Sequence, residues 1–143
     1  LIDTKDVIKL LIPFPNIDSK LAVQAHMYIC IDKSNVAFEF VKCDKLVIGK
    51  DIKFKRYVLT KPNIQHNPFI RTTIIDCDKT FTTTGIHYPK SLLTTKRKDI
   101  SEDLYREIMN TLENHQVFHI NKNELFLVDF KVKEFNINHY NSS

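Results

Sequence analysis

A chain of 143 residues, 43% of them hydrophobic and ten of them phenylalanine, has the apolar volume for one folded core, which excludes intrinsic disorder and leaves little room for a second core. The formal charge of +4, from 21 basic and 17 acidic residues, suits RNA or an acidic protein segment as a partner without requiring either. With Gly49 and Gly85 as the sole glycines, a glycine-rich phosphate loop is excluded, and Cys30, Cys43 and Cys77 are too sparse for a disulfide scaffold or a metal cluster.

Those cysteines read instead as reduced thiols of a cytoplasmic protein that carries no metal and no cofactor. Residues 1–6 lack the apolar core of a secretory leader, and no apolar run approaches a membrane-spanning length.

Asp6 to Phe14 reads as a first strand, ended by Pro13 and Pro15. A polar connection through Asn16, Asp18 and Ser19 leads to a second strand, Val23 to Ile31. Its alternation puts Ala25, Met27, Ile29 and Ile31 on one face and Gln24, His26, Tyr28 and Cys30 on the other. Asp32 to Asn35 is a turn, and Val36 to Val41 returns as the partner strand with Phe38 and Phe40 on a common face. An irregular stretch, Lys42 to Asp51, precedes a strand from Ile52 to Leu59, and Lys61 to Phe69, with Pro62 and Pro68, reads as an exposed loop. Arg71 to Cys77 and Thr80 to Thr84 read as strand segments interrupted near Asp78.

One helix is clear, from Ser101 to Asn114. Ser101 is placed to cap it, Glu102 and Asp103 sit in its first turn, and Leu104, Ile108 and Leu112 recur every four residues. Leu125 to Val132 returns to a β-like pattern, and the tail beyond Asn136 reads as frayed. The chain is thus one mainly β domain over residues 1–143, with a helix late in the chain and a β-like extension from about residue 116. Its expected core includes Ile29, Phe38, Phe40, Val58, Ile74, Leu104, Ile108 and Leu112. Many short strands favour a small closed antiparallel barrel, because closure removes unpaired edges; a β-sandwich is the alternative that periodicity leaves open.

No metalloprotease, phosphate-loop, nucleophile-elbow or paired-cysteine signature is present, so chemistry has to be assembled from scattered groups. His26 lies in an apolar strand, where a neutral imidazole suits proton transfer to or from a ribose hydroxyl; the alternative is a buried histidine that only organises the fold. In a hairpin turning at Asp32 to Asn35, residues near Lys42 lie opposite residues near His26, which makes Lys42 a candidate for holding a phosphate. Lys53, Lys55, Arg56 and Arg71 are candidate RNA-binding cations, with Tyr28 or Tyr57 stacking a base. Cys43 and Cys77 are reactive only where a neighbouring lysine lowers the thiol pKa, and inert if buried. His115 and His119 follow the helix and do not form a helical metal pair.

The order of these segments, from Asp6 to about Leu112, resembles the MazF/PemK family of toxin endoribonucleases. Asp6-Val7-Ile8-Lys9-Leu10 is similar to its opening strand, residues 71–83 (RTTIIDCDKTFTT) to the strand pair before its last helical part, and Ile100 to Leu112 to its terminal helix. The resemblance implies an SH3-like barrel, a homodimer, metal-independent cleavage of single-stranded RNA, and an acidic antitoxin segment that occupies the RNA groove. The family's Arg-Pro pair aligns with Ala25-His26, and its strand-closing Ser/Thr aligns near Cys43 and Asp44, so the usual catalytic arginine and hydroxyl are absent. Two readings follow: a ribonuclease rebuilt around His26 and Lys42, or a non-catalytic RNA- or protein-binding module on the same fold.

Overall fold

The computed structural model describes residues 1–13 and 25–139. Their strands are β1 (Val7–Leu10), β2 (His26–Lys33), β3 (Ala37–Lys45), β4 (Tyr57–Thr60), β5 (Thr73–Asp76), β6 (Lys79–Thr84) and β7 (Gln116–His119). The helices are α1 (Glu102–Thr111), between β6 and β7, then α2 (Lys122–Val128) and α3 (Phe130–His139). The fold is mainly β, and none of these helices is long and apolar enough to cross a membrane.

One sheet holds all seven strands, in the order β1-β2-β3-β5-β4, with β6 on the other half of β3 and β7 on β6. Every pairing is antiparallel except β6 with β7. β5 and β6 both run along β3, β5 on its last residues and β6 on its first, and the chain breaks from the ladder at Cys77 and Asp78. That break was legible near Asp78. The Asp78 carboxylate accepts backbone hydrogen bonds from Lys55 (2.9 Å) and Arg56 (2.8 Å), which fixes the approach to β4. The strand expected over Ile52 to Leu59 is therefore confined to Tyr57–Thr60.

The expected closed barrel does not form: among the described residues, no ladder joins β4 or β7 back to β1. The unpaired edge of β1 is covered in another way. Val7 donates to Lys98 (2.8 Å), Thr94 donates to Val7 (3.1 Å), and isolated bridges link Ile8 to Leu93 and Asp6 to Asp99. A covered edge removes part of the drive for closure.

Helices instead cover both faces of the open sheet. On one face Leu104 and Ile108 of α1 pack with Val7, Ile29, Ile31, Val41 and Val58. On the other, Tyr28, Phe40, Phe81 and Tyr88 pack with Ile120, Leu125 and Val132 from the C-terminal segment. Of the expected core, Ile29, Phe38, Phe40, Val58, Ile74, Leu104 and Ile108 are buried, while Leu112 is half-buried at the end of α1. The thiols divide between the faces, Cys30 beneath α2 and α3 and both Cys43 and Cys77 beneath α1. All are free and buried, and burial pushes Cys30 and Cys77 up to about 12 and raises Cys43 as well.

α1 starts as the sequence indicates, with the Ser101 hydroxyl accepting from Leu104 N (3.2 Å), but it ends at Thr111, short of the expected Asn114, because Leu112 is already extended at φ −67°, ψ 113°. β3 is longer than expected and takes in Lys42 to Lys45. The expected strand at Leu125 to Val132 is helical instead, and the tail beyond Asn136 stays in α3 as far as His139. Caps decide this. Asn121 accepts from Asn123 N and Glu124 N at 2.9 and 3.1 Å, and Asp129 accepts from Val132 N at 3.2 Å. Asn136, far from frayed, is buried and exchanges two 2.8 Å hydrogen bonds with the His87 backbone. The expected strand ends at Phe14 and Val23 lie outside the described residues.

Candidate functional site

The site lies at one end of the sheet, where β1 and β3 finish and β2 and β5 begin. Antiparallel pairing sets Leu10 against His26, Met27 against Cys43, and Tyr28 against Lys42. Asp44 is one rung beyond Cys43, on the face it shares with Lys42, and so stands opposite His26. The Asp44 Oδ1 atom is 3.2 Å from Lys42 Nζ and 3.8 Å from His26 Nδ1, the second being an electrostatic contact too long for a hydrogen bond. All three side chains are partly buried, and the second Asp44 oxygen is buried without a hydrogen-bond partner.

Burial lowers the His26 pKa from 6.5, the Lys42 ammonium lowers it further, and Asp44 opposes both. The imidazole is therefore neutral at pH 7, the form that can accept a proton. His26 and Asp44 open onto a cleft of about 530 Å³ whose walls also include Met27, Phe69, Arg71 and Thr73. Arg71 is exposed on this cleft. Beside Lys42, the Tyr28 hydroxyl is buried without a hydrogen-bond partner, and burial, with Asp44 and Cys43, raises its pKa. Asp76 follows on β5, fully buried, with Lys79 Nζ 3.5 Å from Oδ2; burial raises its pKa too.

The structure thus brings His26 and Lys42 around Asp44 and sets Arg71 on the same cleft. The register that singles out Lys42 points equally to Asp44, two residues on, and that is the signal the sequence reading passed over. Lys53 is exposed on a neighbouring cleft of about 220 Å³, which Asp44 also lines. Lys55 is exposed on the approach to β4, and Arg56 is turned to the residues that follow α1, with Nη1 2.9 Å from Glu113 Oε2. Tyr57 is exposed on β4, opposite Asp76. Tyr28 departs from expectation: it is fully buried and edge-on to Phe40 and Phe81, so it presents no ring face to a base.

A second polar group occupies the other half of β3. Thr82 Oγ1 lies 2.6 Å from His119 Nδ1, and Glu39 accepts from the Thr80 hydroxyl with His115 Nε2 3.7 Å away. Among the described residues, no group of three or more His, Cys, Asp or Glu is arranged to hold a metal ion.

The triad makes an electrostatic prediction. By NMR titration the His26 imidazole should titrate below 6.5. Lys42→Gln should move that pKa up and Asp44→Asn should move it down, since each removes one of the two opposing charges. The lowered pKa also means that the unfolded chain binds this proton more readily. The contribution of His26 to stability is then present above pH 6.5 and lost as the pH falls through the lowered value. A pKa above 6.5, or shifts of the opposite sign in the two variants, would contradict the geometry.

Comparison with models of known protein families, with curated proteins and with solved structures finds no match for this chain.

Proposed function

We propose that the protein is a metal-independent endoribonuclease toxin, related to the MazF/PemK family, that cleaves single-stranded RNA at the His26 cleft. The observation that carries this reading is the convergence of a neutral imidazole, a carboxylate and an ammonium at the sheet end, beside a cleft that also holds an exposed arginine. The ribose 2′-hydroxyl attacks the adjacent phosphorus, the bond to the 5′-oxygen breaks, and the products are a cyclic phosphate and a 5′-hydroxyl. His26 takes the proton from the 2′-hydroxyl and returns it to the departing oxygen. With Nδ1 turned to Asp44, Nε2 is the working nitrogen, and Asp44 steadies the imidazolium. Lys42 and Arg71 offset the charge that develops on the phosphate oxygens.

On this reading the open sheet is a relative of the SH3-like barrel, the working species is a cytoplasmic homodimer, and an acidic antitoxin segment blocks the cleft. The order β1-β2-β3, the broken β5–β6 strand and the following α1 support the kinship.

Purified protein should cleave mixed single-stranded RNA in the presence of EDTA and leave the matching DNA intact, because DNA lacks the attacking hydroxyl. Affinity for RNA with steep salt dependence but no cleavage would favour a non-catalytic binding module instead. Two features speak for that second reading: the Lys42 ammonium is already engaged by Asp44, and Met27, Val47, Phe69 and Ile70 make much of the cleft wall apolar.

A further inference from the structure

The His26 cleft adjoins a second, larger one. This cleft, of about 650 Å³, lies against the end of β1, residues 91–96 and the junction of α2 with α3, and the two clefts share Ala25, Met27 and Ile70 as a common wall. Three segments distant in sequence each bring an exposed lysine to it: Lys9 from β1, Lys96 from the stretch before α1, and Lys131 from α3.

A carboxylate in the wall could cancel that charge, and Asp129 is the one carboxylate among the described residues lining it, but its oxygens are committed elsewhere. Oδ2 accepts from Leu11 N at 3.0 Å and Oδ1 from Val132 N at 3.2 Å, so Asp129 is buried and ties α3 to β1. Among the described residues, none of the three lysines is ion-paired. Phe130 and Ile70, 68% and 67% exposed, add apolar surface beside this charge, an arrangement that costs solvation unless something covers it.

We infer that the second cleft is a track for single-stranded nucleic acid, carrying the part of the strand that flanks the phosphate at His26. The inference rests on the ribonuclease reading for the place of the scissile bond, but not for the binding itself. Lysines from separate segments meet successive phosphates as point charges, and the Phe130 ring stacks a base whatever its identity. The shared wall lets the strand pass from one cleft to the other. The combination of spaced cations with an aromatic face favours a polynucleotide over an acidic peptide, which needs the charge but not the ring.

The test uses the full chain and labelled single-stranded oligodeoxynucleotides of about 4 and about 12 nucleotides, a short and a long length within the range of typical single-strand sites. DNA has no 2′-hydroxyl, so binding is read without cleavage. Wild type should bind the longer oligonucleotide more tightly. The triple variant Lys9→Ala/Lys96→Ala/Lys131→Ala should lose that advantage, and its slope of log affinity against log salt should flatten by about 2. Phe130→Ala should weaken the longer oligonucleotide about tenfold and the shorter one little.

These side chains are exposed, and circular dichroism checks that each variant stays folded. An unchanged slope and length dependence in the triple variant overturns the track even where RNA is still cleaved. A wild type that binds an acidic peptide through these lysines, but no oligonucleotide, overturns it as well. Length-dependent binding that the triple variant abolishes, in a protein that cleaves no RNA, upholds the track and removes the ribonuclease reading alone.

Discussion

On the proposed ribonuclease reading, His26→Ala should slow cleavage of single-stranded RNA by about 100- to 10,000-fold, the range a positioned acid–base group contributes. The loss follows from geometry: among the described residues His26 is the one imidazole lining the cleft that holds Asp44 and Arg71, and its lowered pKa keeps it unprotonated at pH 7. Affinity for an uncleavable strand should change little, since Arg71 and the lysines remain. Rates under EDTA, with a melting curve on the same preparation, check both halves. Because His26 is partly buried, His26→Gln serves as a second variant that keeps volume and polarity but cannot take the proton. Cleavage at the wild-type rate in a folded His26→Gln protein would end the role assigned to the imidazole. On the same reading Asp44→Asn should cost less, because Asp44 touches the imidazole and not the reacting atoms.

Phe40→Ala should destabilise the fold by about 3–5 kcal/mol, the usual cost of removing a large buried aromatic ring. Phe40 is fully buried in the centre of the sheet, with Phe38 stacked on it at 6.2 Å between centroids and Tyr88 edge-on at 5.2 Å. Truncation leaves a cavity that β2, β3 and β6 cannot all collapse to fill, since each is held by a ladder on either side. Domains of this size have about 5–15 kcal/mol in all, so the effect should be plain in a urea midpoint, with little change in slope. Phe130→Ala, at an exposed position, should stay within about 0.5 kcal/mol of wild type. Equal midpoints for Phe40→Ala and Phe130→Ala would contradict the two-faced core.

The β2–β3 hairpin and α1 were legible because their signals are local. Alternating aromatic and β-branched residues around a polar turn specify the first, and a serine cap with leucine and isoleucine at fourfold spacing specifies the second. Phe126, Val128 and Val132 carry an alternation that suits a strand equally well. What makes that stretch helical is the pair of caps at Asn121 and Asp129, and Asp129 also bonds Leu11, a residue far away in sequence. Closure of the sheet could not be read for a similar reason: the edge of β1 is covered by residues 93–99, whose bridges leave no local pattern. At the site, hairpin register was enough to bring Lys42 near His26. Tyr28 is hidden by the C-terminal helical layer and Arg56 is drawn away by Glu113, and both effects come from parts of the chain that no local window contains.

The division of the thiols between the two faces gives the folded chain a clock of its own. Cys30 and Cys77, pushed up to about 12, and Cys43, raised as well, offer an alkylating reagent almost no thiolate while the layers stay closed. At Cys30 and Cys77, which are fully buried, reaction has to wait for a layer to lift. Modification at Cys30 times the opening of the face that carries α2 and α3, and modification at Cys77 times the opening of the face that carries α1, whereas Cys43 also lines the His26 cleft. The order in which Cys30 and Cys77 become labelled therefore records which side of the sheet peels away first.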